Sequence, residues 1–298
     1  MRALPCFLYD AFAEHRFGGN VAGVVLLDAP VPDDAELQAL AAELAAPTTG
    51  FVEMLDADRY RVRFFSPSAE MAMCGHVTIG VACALLDEGL ITGDRFTQET
   101  AAGPVALTLT DRHPHPRVDM AQRLPMFDER ALPTAELAAA LGVDETAFDP
   151  ALRPGRASTG LRHVFIALRH DHDLATLRRD DAALFALSRV HGIDTLGVFA
   201  LIDSRPGLCR VQLRDLCHGV GNPEESASGT TNGALASFLF HRGVLTAADG
   251  TATLQATQGR DMGRPANITT RLGIVSGAIS HVAVGGSAVR TLAGTLYL

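Results

Sequence analysis

The chain has 298 residues, 47% hydrophobic and 20% charged, which is enough apolar material for a large core and more length than one domain usually takes. Its formal net charge of −9, with the cations scattered, argues against a sequence-independent grip on nucleic acid, which needs clustered positive charge against phosphate. All 25 basic residues are Arg, and without a lysine no Schiff base can anchor pyridoxal phosphate.

The segments LPCFLYDAF and VAGVVLL read as strands, and DDAELQALAAELA, opening on Asp caps and rich in Ala and Leu, as a helix. GFVEML and YRVRFF follow as strands. CGHVTIGVACALLDEGLI reads as a helix stopped by Gly89, and TQETAAGPVALTLT as two strands around a Gly turn. Asp10 and Glu14 interrupt the opening apolar stretch, and no small-residue cleavage site follows, so it is expected to be a strand and not a signal peptide. No apolar run reaches the ~18 residues of a membrane helix. The first half closes near DRHPHPRVDMAQRLP, which divides the chain into residues 1–124 and 125–290.

The second half repeats the pattern, with LRHVFIALR, TLGVFALI and CRVQLRDL as strands and SGTTNGALASFLFHRGVL as a helix stopped by Gly243. At a constant offset of 154 residues, Cys74 falls on Ser228, Gly75 on Gly229, Ala82 on Ala236, Leu85 on Leu239 and Gly89 on Gly243. Glu70 falls on Glu224. One ungapped frame of such matches indicates an internal duplication whose repeat unit is a whole domain.

Each repeat puts a small nucleophilic residue and a Gly where a strand hands over to a buried helix. The first turn of a helix carries unpaired N–H groups and the positive end of the macrodipole, so Gly75 and Gly229 mark places where a carboxylate can approach the backbone. The same field favours a thiolate, which makes Cys74 a candidate base for a C–H proton; the alternative is a small buried hydrophobe, the reading that fits Cys6, Cys83 and Cys209. His76 either relays a proton or caps the helix start. Glu225 is a candidate for proton handling or for orienting His76, while a solvated turn is the plain explanation of the Glu224–Glu225 pair. Five cysteines without a C-x-x-C pair fit a reducing, cytoplasmic setting, and Cys74, His76 and His218 lack the spacing of a zinc site.

With GGNVAGVVLL, FFSPSAEMAMCGHVTIG, STGLRHVFIAL, GNPEESASGTTNGALASFL and TQGRDMGRPA in order, the chain resembles the PhzF family of phenazine-biosynthesis-like isomerases, within the superfamily of diaminopimelate epimerase and proline racemase. The resemblance implies an α/β (α+β) fold of two pseudo-symmetric halves, each a curved sheet around a central helix, with the active site between them. It also implies that 291–298 return to the first half, that no cofactor is needed, and that the protein is often a homodimer. Carried over by motif, His76 matches the family histidine, Glu225 its acidic residue, Thr230 the hydroxyl residue after its Gly, and Asn20 a substrate contact. Two departures stand out. Thr48 occupies the position of the usual catalytic Glu, and MCGH resembles the cysteine motif of the racemase branch. Ser228 stands where a second cysteine would be, and a serine hydroxyl without an activating partner is a poor base, so the pair looks one-sided. The expectation is an isomerase that shifts a proton in a small carboxylate-bearing substrate, with Cys74 as base. An amino-acid racemase or epimerase, a dehydratase acting by β-elimination, and a non-catalytic binding protein are the alternatives.

Overall fold

The computed structural model describes residues 2–28 and 30–298, the side chains of 172 and 173 excepted, and divides into one unit of Met1–Ala121 with Gly285–Leu298 and another of Gln122–Val284. In the first unit β1 (Ala3–Ala11) and β2 (Asn20–Leu26) pair antiparallel. Helix α1 (Asp34–Leu44) then begins on a capping box: Glu36 N donates to Asp33 Oδ1 and Asp33 N donates to Glu36 Oε2, both at 2.9 Å. Asp33→Ala removes one of those bonds and is expected to cost about 1 kcal/mol, read as a lower urea midpoint at unchanged slope.

The crossover through α1 lets β3 (Thr48–Met54) pair parallel with β2, and β4 (Arg59–Phe65) folds back antiparallel, carrying the short β5 (Glu70–Met71). After α2 (Gly75–Asp87), β6 (Arg95–Glu99) pairs parallel with β4, followed by β7 (Val105–Asp111) and β8 (Arg117–Ala121). The last strand of the chain, Ala278–Tyr297, pairs antiparallel with β1 from Ala3↔Tyr297 to Ala11↔Ala288 and also neighbours β8, so the strand path closes on itself.

α2 lies inside this closed sheet and is buried from His76 to Leu85, on every side, which explains why its sequence is apolar without an amphipathic stripe. The helix approaches closely. A Cβ at Gly80 would stand 2.6 Å from the Ala22 Cβ, and one at Gly50 would stand 2.8 Å from Val77 Cγ1.

The second unit opens with β9 (Met126–Asp128), α3 (Thr134–Leu141), β10 (Gly155–Ser158), β11 (His163–Leu168), α4 (Asp171–Thr176) and α5 (Asp181–His191). Next come β12 (Thr195–Arg205), β13 (Leu208–Leu216), α6 (Gly229–His241), β14 (Thr251–Gln258), β15 (Ala266–Val275) and β16 (Ala278–Tyr297). The strands neighbour one another in chain order, parallel at β11–β12 and β13–β14. β11 is buried on both faces. Phe165 and Ala167 pack with Leu235 and Phe238 of α6, while Val164, Ile166 and Leu168 pack with Leu137 of α3 and Leu184 of α5. That double burial accounts for its unbroken apolar run.

The duplication appears in the backbone. α2 and α6 both have 13 residues, their N-caps Cys74 and Ser228 have φ, ψ of −143°, 116° and −133°, 115°, and Gly89 and Gly243 leave them at φ 68° and 73°. Thr78 bonds the Cys74 carbonyl and accepts from Gln98 on β6; Asn232 bonds the Ser228 carbonyl and donates to Gln258 on β14.

Candidate active site

The first unit brings Asn20, Cys74 and His76 together, each with less than a tenth of its surface exposed. Asn20 opens β2 and shares a face with Ala22, which packs on α2, so its amide reaches the helix start. Cys74 Sγ lies 3.5 Å from His76 Nδ1, and Asn20 Nδ2 lies 3.2 Å from the same nitrogen. With the Asn20 amide donating, Nδ1 is the bare ring nitrogen, and its one lone pair is shared between the amide and the thiol. The Cys74 side chain caps no amide of α2. Thr48, paired with Ala22 across the sheet, faces the same interior, with Oγ1 3.9 Å from Met71 Sδ. Gly75 is the first residue of α2, with Met120 Cε as the nearest atom a Cβ would meet, at 3.5 Å.

Burial raises the pKa of Cys6, of Cys83 and Cys209 to about 12, and of Cys217 well above the ordinary value, with the Asp215 carboxylate adding to the last. Those four have the character of packed hydrophobes.

In the second unit Gly229 begins α6, and Ser228 Oγ stands 3.3 Å from Thr230 Oγ1 and accepts from Thr231 N at 3.4 Å. Gln258 links Ser228 to Glu225: its Oε1 accepts from Ser228 N at 3.4 Å and its Nε2 donates to the Glu225 carbonyl at 2.8 Å. Glu225 Oε1 accepts from Asn222 Nδ2 at 2.8 Å. The neighbouring Glu224 has a different role. It is buried and clamped by Arg214, at 2.9 and 2.8 Å, and by Arg179, so it anchors the loop and is no part of a solvated turn.

Four residues beneath this helix start escaped the sequence reading. Thr231 Oγ1 lies 2.9 Å from Ser228 Oγ, 2.6 Å from Asp215 Oδ2 and 3.1 Å from His163 Nε2, and Thr195 also faces Asp215. Each has a polar neighbour in sequence, Thr230 and Asn232 beside Thr231, Arg214 before Asp215, Arg162 before His163 and Asp194 before Thr195, so none stands out by itself. Among the described residues no group of three or more His, Cys, Asp or Glu side chains is placed to hold a metal ion, and no helix is long and apolar enough to cross a membrane.

Residues 9–294 match the family described as phenazine biosynthesis-like protein, PhzC-PhzF. An uncharacterized isomerase of Deinococcus radiodurans is 35% identical over 275 residues, which are 91% of this chain and 87% of that protein. The crystal structure of the Bacillus anthracis phenazine biosynthesis protein of the PhzF family superposes with a TM-score of 0.86 at 24% identity, covering 100% of both chains. A probable proline racemase from Agrobacterium radiobacter K84, solved with bound carbonate, gives a TM-score of 0.64 at 15% identity over 99% of this chain and 93% of that one. These two likenesses bear out the epimerase-like fold expected from the motifs. Matched over nearly its whole length, the chain belongs to the phenazine biosynthesis-like PhzC-PhzF family.

Proposed function

We propose that this PhzF-family isomerase shifts a proton in a small carboxylate-bearing substrate, with Cys74 as principal base and with Glu225 and His76 returning or relaying the proton. The contact of Cys74 Sγ with His76 Nδ1 at the start of α2 carries this reading, because it joins a nucleophilic thiol and an imidazole at the positive end of a helix. The amides of Gly75, His76, Gly229 and Thr230 hold the carboxylate and stabilise enolate-like charge, Asn20 and Thr48 contact the substrate, and no metal or organic cofactor takes part. Thr48 cannot ionise at neutral pH, so the family's usual carboxylate base is replaced. All five cysteines are free thiols, which supports a reducing cytoplasmic setting, and a homodimer completes the proposal.

Incubation in heavy water with a panel of small carboxylates, including proline and 2,3-dihydro-3-hydroxyanthranilate, tests this reading by NMR. The expected result is deuterium at one carbon with optical activity retained. No exchange in any member would overturn it. A second reading, an epimerase, draws support from the hydroxyl network behind Ser228; exchange at a stereocentre with loss of rotation is its signature.

A further inference from the structure

The second unit contains a polar chain that the first unit lacks at corresponding positions. Taking Gln98 and Gln258 as equivalent, the strand registers put Asp215 against Val62, Thr195 against Gly50 and His163 against Val24. The helix frame puts Thr231 against Val77. In the first unit this spot is apolar, and a Cβ at Gly50 would touch both Val77 and Val62. The fold is therefore satisfied with hydrocarbon there. Burying an aspartate, a histidine and two threonines in its place costs stability, which points to a purpose other than packing.

The geometry orders the donors. A hydroxyl donates once and accepts twice, and the 2.6 Å distance from Thr231 Oγ1 to Asp215 Oδ2 assigns the Thr231 proton to the carboxylate. Thr231 Oγ1 then accepts from Ser228 Oγ–H and from His163 Nε2–H. The line runs inward from Ser228, which is partly exposed, to Thr231 and Asp215, which have no exposed surface.

We propose that Ser228, Thr231 and Asp215 form a proton relay, with Asp215 as its buried store, an inference that rests on the proton-transfer reading above. When the enolate carbon takes a proton back, its electron pair bonds the Ser228 proton, the Thr231 proton passes to Ser228 Oγ, and the Asp215 proton passes to Thr231 Oγ1. The reverse movement, with a proton entering at Ser228, reloads Asp215, so the cycle balances without an oxidant or a metal. Ser228 thus has the activating partner that sequence alone does not reveal. Burial, with the Glu225 charge adding to it, raises the Asp215 pKa to about 7, where the group can both take and give a proton at neutral pH. Thr231 of α6, Thr195 of β12, and Cys217 and Glu225 from the segment before α6 face it; His163, held neutral by burial with its pKa near 4, faces it across Thr231.

The test labels aspartate carboxyls isotopically in wild type, Thr231→Val and Thr231→Ser, and follows the Asp215 resonance by NMR, assigned through its loss in Asp215→Asn. Asp215 is expected to titrate near neutrality, to move up by about one unit in Thr231→Val, and to return in Thr231→Ser. Heavy-water exchange of the panel compound that wild type labels is expected to slow about tenfold or more in Thr231→Val, to lose its inflection near neutrality, and to recover in Thr231→Ser. If Thr231→Val does not fold, Ser228→Ala cuts the same line at its open end and is expected to slow exchange likewise. An Asp215 that titrates as an ordinary carboxylate, or ignores Thr231, overturns the relay, as does unchanged exchange in the severed variants. If no compound exchanges while Asp215 still titrates near neutrality and follows Thr231, the relay stands and the isomerase reading fails.

Discussion

Cys74→Ser is expected to keep the fold and to lower turnover by about 10²–10⁴-fold, the usual contribution of a positioned acid–base group. The exchange of sulfur for oxygen changes little in volume, but it replaces an ionisable thiol with a hydroxyl that does not release its proton near neutral pH. Cys83→Ser is the control. That side chain sits nine residues along the same helix. It is fully buried with its pKa pushed to about 12, so packing alone responds there. Iodoacetamide is accordingly expected to modify Cys74 first, a carboxylate ligand to protect it, and protection to track inhibition. Equal turnover of wild type and Cys74→Ser on the identified substrate would return the role of base to Glu225 or His76.

The second large effect concerns stability. Asp215 has its carboxyl raised from 3.8 to about 7 in the folded protein, so the folded state holds a proton that the unfolded chain has released. Its contribution is complete below the unfolded pKa and is lost as pH rises through the folded one. At 1.36 kcal/mol per unit, the loss across that window is roughly 4 kcal/mol. Asp215→Asn cannot ionise, so the stability of the variant relative to wild type is expected to rise by about that amount from acid to mildly alkaline pH, read from urea midpoints at each end. His163 acts oppositely: its depressed pKa, about 4, means stability lost as pH falls through that value, but it is present in both proteins and cancels in the comparison. A pH-independent difference between the two would show that Asp215 is an ordinary carboxylate.

The parts of the fold legible in the sequence were those where local pattern and burial agree. β11 is buried on two faces and reads as an unbroken apolar run, and α2 and α6 end on glycines whose left-handed φ only the C-terminal stop requires. Of the long strand Ala278–Tyr297 only the end, from residue 291, was expected, and from the family resemblance, because its Ala, Gly and Ser content is as common in loops as in sheets. α5 was also passed over, although Asp180 caps it and Gly192 stops it. At the site, Cys74 and His76 were visible because only Gly75 separates them in sequence, so one helix start holds both. Asp215, His163, Thr195 and Thr231 come from β13, β11, β12 and α6, and only the strand register brings them together. Loops of unequal length shift the duplication frame from strand to strand. The comparison with Val24, Gly50, Val62 and Val77 therefore needed the registers themselves.

The closure of the first sheet by Ala278–Tyr297 also sets an order of events during synthesis. Residues of the second unit, Gln122–Val284, are contiguous and emerge together, whereas β1 finds its outer partner only once residues 288–297 have been made. Until then one edge of β1, an apolar strand, is open to wrong partners, and pairing across nearly the whole chain is slow by its loop length. On the ribosome β1 waits for residues 288–297, and a nascent chain stalled before they are made offers chaperones and proteases an unsealed barrel.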